Sequence, residues 1–250
     1  MDEKKTAVEG KRKKRSRSGE PVCEQLSFAA KEAFKRLRTN LVMAFPTEDT
    51  SCHLIGVTSA QPSDGKSTIA INLAYSLAEL GKRTLLIDAD MRRSSIHVKA
   101  RIEKTPGLSN LMTDSNSITA ALRQYESSTG ISFSIIPGGD VPPNPSELLN
   151  SKRMETLLQT LATAYEYIVI DLPPIGAVVD AVSVARAIDG MLVVIRENAC
   201  PKGLLADCMQ QLDYAGVNVL GFVVNGALEG SGKKYQYGKS GYYGYYNSYT

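Results

Sequence analysis

The sequence has no tryptophan, two histidines and four cysteines among its 250 residues. The cysteines are Cys23, Cys52, Cys200 and Cys208. They show no C-x-x-C spacing, which argues against a zinc or haem site. No stretch approaches the roughly 18 consecutive apolar residues of a membrane helix, and the N-terminus is too polar for a secretion signal. We therefore expect a cytoplasmic protein in a reducing environment, with any membrane link made through a partner.

Aromatic residues are scarce until the C-terminus. Seven of the 12 tyrosines lie in the last sixteen residues: Tyr235, Tyr237, Tyr242, Tyr243, Tyr245, Tyr246 and Tyr249. Their spacing follows neither the period of a strand nor that of a helix, and no Phe, Leu, Ile or Val lies among them. This composition predicts a disordered tail over residues 229–250 whose phenol groups are substrates rather than parts of a core.

The basic residues are concentrated at the other end of the chain. The net charge is +3, yet residues 11–17 alone contain six Lys or Arg side chains. We expect residues 1–22 to form a disordered basic arm, which is either solvated or in contact with an anionic partner.

Between these ends, the apolar pattern predicts an amphipathic helix over Glu24–Phe45, within the N-terminal segment 23–46, followed by alternating strands and helices within residues 47–228. Predicted strands cover Leu54–Ser59, Arg83–Asp88, Phe133–Ile136, Tyr167–Asp171, Met191–Arg196 and Val219–Val224. Predicted helices cover Lys66–Leu80, Lys152–Tyr165, Val179–Ile188 and Lys202–Ala215. Apolar runs without alternation are typical of strands that are covered on both sides. The fold class is therefore α/β, with a mostly parallel sheet and helices on both faces.

A candidate phosphate-binding loop follows the first predicted strand. It reads S-A-Q-P-S-D-G-K-S-T over residues 59–68 and opens a predicted helix. In G-x4-G-K-[ST] loops, backbone N–H groups surround a triphosphate, and the positions of Lys66 and Ser67 serve the outer phosphates and Mg²⁺. The match is imperfect because Ala60 stands where the first glycine belongs. The strand, loop and helix context still favours a nucleotide site.

Three carboxylates follow predicted strands. Asp88 ends one strand and Asp90 lies two residues further on, while Asp171 ends another strand before two prolines. Carboxylates at strand ends beside a phosphate loop are suited to Mg²⁺ binding and to accepting a proton from an attacking hydroxyl. A lone exposed Asp would need no such explanation, but three in this arrangement indicate a site.

The loop at residues 59–68, L-L-I-D-A-D-M-R at residues 85–92 and I-V-I-D-L-P-P at residues 168–174 resemble the Walker A, A′ and B motifs of the bacterial protein tyrosine kinases (BY-kinases). That family controls capsule and exopolysaccharide synthesis. The resemblance implies a P-loop NTPase fold, ATP and Mg²⁺ as cofactors, and autophosphorylation of the C-terminal tyrosines listed above.

The resemblance also implies residue roles. The catalytic set is Lys66, Asp88, Asp90 and Asp171; the nucleotide-binding set is Ser63, Asp64, Gly65, Lys66, Ser67, Thr68, Arg92 and Asn225. Mg²⁺ would be held by Ser67, Asp88 and Asp171. The family signature E-x-x-R-x-x-R of ring-shaped oligomers resembles the pattern of Glu32, Lys35 and Arg38, in which lysine replaces the middle arginine and loses its bidentate fork.

Two other functions are compatible with parts of this pattern. Positioning and partition ATPases share the three motifs but usually have a further lysine at the position of Gln61. A nucleic-acid binder would use the basic arm and the tyrosines but would leave the three carboxylates unexplained. Both are therefore disfavoured.

The resemblance further implies partners. They are a membrane adaptor with a cytoplasmic activating segment, other copies of the chain in a ring, an opposing tyrosine phosphatase and other protein substrates. We expect phosphorylation of the tail in trans, and recruitment to the inner face of the plasma membrane.

Overall fold

The computed structural model describes residues 22–45, 52–113, 117–176, 184 and 187–227. The basic arm, the tyrosine cluster and most of the helix predicted over Val179–Ile188 lie outside the described residues. No helix within these ranges combines the length and the apolar content needed to cross a membrane.

Seven strands form one sheet in the order β3-β4-β2-β5-β1-β6-β7. They are β1 (His53–Ser59), β2 (Thr84–Asp88), β3 (Arg123–Glu126), β4 (Ser132–Ile136), β5 (Tyr167–Asp171), β6 (Gly190–Arg196) and β7 (Val219–Asn225). All neighbouring pairs are parallel except β3 and β4, which are antiparallel. The carboxyl ends of β1, β2, β5 and β6 therefore lie along the same edge of the sheet.

The described helices are α1 (Phe28–Ala44), α2 (Lys66–Ala78), α3 (Ile96–Ala100), α4 (Leu108–Thr113), α5 (Ile118–Ala121), α6 (Pro145–Leu149), α7 (Lys152–Ala162) and α8 (Lys202–Tyr214). The sheet separates two apolar cores. One contains the buried faces of α7 and α8, and the other contains α2 with parts of α1 and α3. Successive residues of the central strands, such as Leu85 and Leu86 of β2, enter opposite cores. The expected α/β architecture with helices on both faces is confirmed.

Some boundaries differ from the expected ones. The N-terminal helix begins at Phe28 rather than Glu24, because the Ser27 side chain accepts a hydrogen bond from the N–H of Ala30 and caps the helix. Residues 23–25 form a separate 3₁₀ turn. Strand β3 was not expected: it is a four-residue edge strand with alternate residues exposed, so it lacks the continuous apolar run of the central strands.

Candidate functional site

The phosphate-binding loop connects β1 to α2. Ser63 and Gly65 both have left-handed backbone conformations, with φ of 70° and 95°. A Cβ at Gly65 would also collide with the side-chain amide of Asn225, so both the backbone and the available space require glycine. Within the described residues, no side chain caps the start of α2. Its first N–H groups can therefore bind an anionic ligand.

Lys66 is the cation at the centre of the site. Its Nζ lies 2.7 Å from Asp90 Oδ2 and 3.5 Å from Asp171 Oδ1. It also donates to Ser67 Oγ at 3.3 Å. Burial alone lowers the pKa of Lys66, but Asp171 and Asp90 outweigh burial and raise it above its ordinary value. The lysine is therefore charged and neutralises carboxylates in this state.

Asp88 and Asp171 are paired in register at the ends of β2 and β5. Both are fully buried, and within the described residues Asp88 Oδ1 and both oxygens of Asp171 have no hydrogen-bond partner. Burial raises the pKa of Asp88, and it raises the pKa of Asp171 to about 7 although Lys66 opposes this shift. Unpartnered buried oxygens are costly unless a ligand completes them.

These residues fit a Mg²⁺ ion bound together with a nucleotide. In the described part of the chain, no three His, Cys, Asp or Glu side chains are placed to hold a metal ion by themselves. Mg²⁺ typically takes one or two carboxylates and completes its shell with substrate phosphates and water. The oxygens of Asp88 and Asp171 that make no hydrogen bond within the described residues, with the Ser67 hydroxyl nearby, match such a donor set.

A cavity of about 480 Å³ opens over the loop, within the usual range for small-molecule sites. Ser63, Gly65, Lys66, Ser67, Thr68 and Asp90 line it, together with four further cations, Arg92, Arg93, Lys99 and Arg196. Asp64, within the loop, is buried. Arg92 also donates to Ser146 Oγ at 3.4 Å. The cavity is therefore strongly cationic around its mouth, as a polyphosphate ligand requires.

Side chains from β6 and β7 hold the outer face of the loop. Asn225 donates its amide to the carbonyl of Asp64 at 2.8 Å, and Arg196 donates to the carbonyl of Ser63 at 3.2 Å. Asn225 thus contacts the loop directly, and its role in nucleotide binding remains a prediction. Arg196 was missed in the sequence, although its position at the end of a buried strand beside β1 was a usable signal.

Ala60 and Gln61, the two loop residues that depart from the usual motifs, both contact other parts of the chain. Ala60 is completely buried, and its carbonyl accepts the N–H of Gly176 at 3.2 Å, so the structure accommodates its methyl group. Gln61 donates to Asp64 Oδ1 and to the carbonyl of Ala199, both at 3.1 Å. The Gln61 side chain is therefore used within its own chain.

A protein-family model described as an AAA domain matches residues 53–212. The tyrosine-protein kinase YwqD of Bacillus subtilis (strain 168) is 35% identical over 213 residues, which is 85% of this chain and 86% of YwqD. The chain belongs to the bacterial protein tyrosine kinases. The family resemblance of its three motifs is thereby confirmed.

The tyrosine-protein kinase Etk of Escherichia coli (strain K12) is 34% identical over 209 residues, which is 84% of this kinase and 28% of Etk. The solved kinase domain of Etk has a TM-score of 0.77 at 31% identity, covering 92% of this kinase and 90% of that domain. The septum site-determining protein MinD of Pyrococcus horikoshii, solved with Mg-ADP, is 21% identical with a TM-score of 0.56, covering 69% of this kinase and 70% of MinD. The likeness to MinD concerns the fold alone.

The predicted oligomer residues of the kinase lie on α1 but differ in their surroundings. Glu32 and Lys35 form a partly exposed ion pair within the helix, 2.8 Å apart. Arg38 is buried and donates to the carbonyl of Ser76 at 2.7 Å and to Glu79 at 3.0 Å. Arg38 therefore fastens α1 to α2, and an oligomer role for Glu32, Lys35 and Arg38 remains a prediction.

Proposed function

We propose that the kinase uses Mg·ATP to phosphorylate its own C-terminal tyrosine cluster in trans, within a ring-like homo-oligomer. Ser67, Asp88 and Asp171 would hold Mg²⁺, which supplies charge neutralisation for the phosphates. Lys66 would leave its carboxylate partners for the outer phosphates. Asp88 would accept the proton of the tyrosine hydroxyl, and Asp90 would support the lysine and the metal ligands.

The arrangement of Lys66 carries the proposal. Two acidic side chains, Asp90 and Asp171, hold this buried cation at the start of α2, whose N-cap residue Gly65 has no side chain to cap the helix. Lys66 would turn to the anionic oxygens of a bound triphosphate, and the carboxylates that it leaves would face the metal ion, which would supply positive charge in its place. Both sides of the existing ion pair are thus replaced by matching charges.

A carboxylate is a weak base for a tyrosine, because an unperturbed phenol has a pKa of about 10. In a loose phosphoryl transfer, positioning and charge neutralisation supply most of the rate. Burial raises the pKa of Asp88 in the metal-free site, and a bound Mg²⁺ would oppose that shift, so Asp88 would act by its position rather than by its basicity.

The tail is suited to act as a charge switch. Residues 233–250 contain three lysines and no Asp or Glu. Seven phosphates at about −1.5 to −2 each would change the charge of this segment from +3 to roughly −8 to −11. Phosphorylated tails on neighbouring subunits would repel one another. We propose that accumulated phosphate ends the association between subunits.

The proposal is tested by mixing two chains with complementary defects. One chain carries Lys66→Ala and an intact tail; the other has an intact site and all seven tail tyrosines changed to Phe. After incubation with Mg·ATP, mass spectrometry should find phosphate on the tail of the Lys66→Ala chain. Tyr214 is the internal control, since it is 80% exposed but belongs to the folded domain.

Three outcomes would contradict the proposal in different ways. An unmodified tail in the mixture, with a modified tail in the wild-type chain, would exclude transfer in trans. Equal labelling of Tyr214 and the tail would remove the tail's status as the preferred substrate. ATP hydrolysis without phosphotyrosine in the wild type would favour a positioning ATPase.

We further propose a membrane adaptor with a cytoplasmic activating segment, and control of capsule or exopolysaccharide synthesis. Most of Etk lies outside its match to this kinase, which supports a division of such a system between two chains. The adaptor would recruit the kinase to the inner face of the plasma membrane, and a tyrosine phosphatase would reverse the modification. Autophosphorylation rates that are unchanged by the cytoplasmic fragments of co-purifying membrane proteins would count against the adaptor.

A further inference from the structure

The two oxygens of the Asp88 carboxylate have opposite surroundings. Oδ2 accepts three hydrogen bonds: from Ser94 Oγ at 2.8 Å, and from the N–H groups of Ser95 and Ile96 at 3.1 Å each. Oδ1 is buried and has no partner within the described residues. The carboxylate is therefore fixed by one oxygen, and the other is left for a ligand.

The direction of the hydrogen bond between Ser94 and Asp88 determines which atom donates in the contact between Ser94 and His97. Oδ2 already receives two N–H donors, so it acts as an acceptor and the Ser94 hydroxyl donates its single proton to it. Ser94 Oγ also lies 3.2 Å from Nδ1 of His97. Because the hydroxyl proton is already used, His97 must supply the proton of this second bond, from Nδ1–H.

The identity of the donor holds in both protonation states of His97, since Nδ1 carries a proton in the imidazolium as well. Burial, followed by the positive charge of Lys104, lowers the pKa of His97. At pH 7.5 the ring is neutral, so the contact selects one of its two tautomers.

Gly138, in the loop after β4, lies close to Ser94. A Cβ at Gly138 would lie 2.7 Å from Ser94 Oγ and 2.8 Å from Ser94 Cβ. Contacts under 3.0 Å force a shift, so any larger residue would displace the serine. The loop after β4 and the start of α3 thus confine Ser94 between Gly138 and Asp88.

We infer that Ser94 and His97 are positioning residues of the kinase, forming a hydrogen-bonded series from His97 through Ser94 to Asp88 that directs Asp88 Oδ1 to the bound cation. The inference rests on the proposed Mg·nucleotide site. Neither residue touches the nucleotide or the metal; both act through Asp88. Partners of this kind that orient metal ligands typically change metal affinity by 10–100-fold.

The first test is made on metal-free protein without nucleotide. The chain has only two histidines, so imidazole ¹⁵N NMR at pH 7.5 shows two rings, and the ring lost in His97→Asn is assigned to His97. We expect the Nδ1–H tautomer in the wild type and its loss in Ser94→Ala. An Nε2–H tautomer in the wild type, or a tautomer unchanged by Ser94→Ala, would overturn the inference.

The second test is Mg²⁺ affinity, titrated calorimetrically at saturating ADP. Ser94→Ala should raise the Kd for Mg²⁺ about 10-fold, while the Kd for ADP without Mg²⁺ stays unchanged. Gly138→Ala should change the two Kd values in the same way, because its methyl group would displace Ser94. As a matched control, Ser128→Ala removes a hydroxyl-to-carboxylate bond of 2.7 Å to Glu24, beside the opposite end of β4, and should leave the Kd unchanged.

His97 provides an independent pair of variants if Ser94→Ala does not fold. His97→Ala should weaken Mg²⁺ binding several-fold, and His97→Asn, whose amide N–H can replace Nδ1–H, should restore most of it. Equal weakening by both His97 variants, or Mg²⁺ affinity within twofold of wild type in folded Ser94→Ala, would overturn the positioning role. Wild-type protein that shows the Nδ1–H tautomer but binds no Mg·ADP would instead refute the proposed function.

Discussion

The Lys66→Met substitution should destabilise the kinase before any nucleotide is present. The Lys66 and Asp90 side chains are only 11% and 6% exposed, and Asp171, 3.5 Å from the ammonium, is completely buried. Removing one member of a buried ion pair costs about 3–5 kcal/mol, because the remaining charge is left uncompensated. We expect a loss near 3 kcal/mol, since Asp171 can take up a proton.

The assay is equilibrium urea unfolding at pH 8 with EDTA and no nucleotide, so that bound ligand adds nothing to the stability. Asp171→Asn in the Lys66→Met background should recover more than 1 kcal/mol, because it removes one of the charges left without a cation. The same change in the wild-type background provides the fourth corner of the double-mutant cycle.

The effect of Lys66→Met should also depend on pH. Burial raises the pKa of Asp171 from 3.8 to about 7, so the folded state holds the proton more tightly than the unfolded state does. The resulting stabilisation is full below pH 3.8 and is lost as pH rises towards 7. Without Lys66 this loss should increase, so the difference between variant and wild type should be larger at pH 8 than at pH 5. A variant within 1 kcal/mol of wild type at pH 8, or further destabilisation by Asp171→Asn, would refute the reasoning.

Three further predictions concern local structure. Arg38→Met should lower the free energy of unfolding by about 1.5–3 kcal/mol, because Glu79 and a carbonyl of α2 lose the guanidinium that donates to them. Arg38→Lys should recover part of this loss in the same urea assay. Gly65→Ala should abolish detectable ADP binding in calorimetry while circular dichroism stays near wild type, because its methyl group would displace Asn225. Ser27→Ala should cost about 1 kcal/mol in thermal unfolding through loss of the α1 cap, and Ser27→Asp should retain the cap.

Much of the fold could be predicted because its central strands are covered on both sides. A strand such as β5, buried at every position, appears in the sequence as an uninterrupted apolar run ending in Asp171. Strand β3 could not be found in this way, since it lies at the edge of the sheet and owes its pairing to β4 rather than to its own composition. The five-residue helix α3 is too short to show a hydrophobic period.

The candidate site shows the same division. Lys66, Asp88, Asp90 and Asp171 could be predicted because each stands at a fixed point of a local strand-to-loop pattern. The roles of Ser94 and Gly138 could not, because they depend on an approach between the loop after β2 and the loop after β4, which are distant in sequence. Spacing along one segment contains no information about such an approach.

The sequence by itself determined the chemistry of this kinase: a phosphate-binding loop, acids at strand ends, and a cluster of tyrosines. Tertiary structure alone decided how that chemistry is arranged. Parallel pairing of β2 with β5 places Asp88 beside Asp171. In this buried site Lys66 forms ion pairs with Asp90 and Asp171, while Asp88 Oδ1 has no hydrogen-bond partner among the described residues. The physical reason is that local patterns fix which groups reach the edge of the sheet, whereas strand order and burial fix which charges meet there and which have no partner.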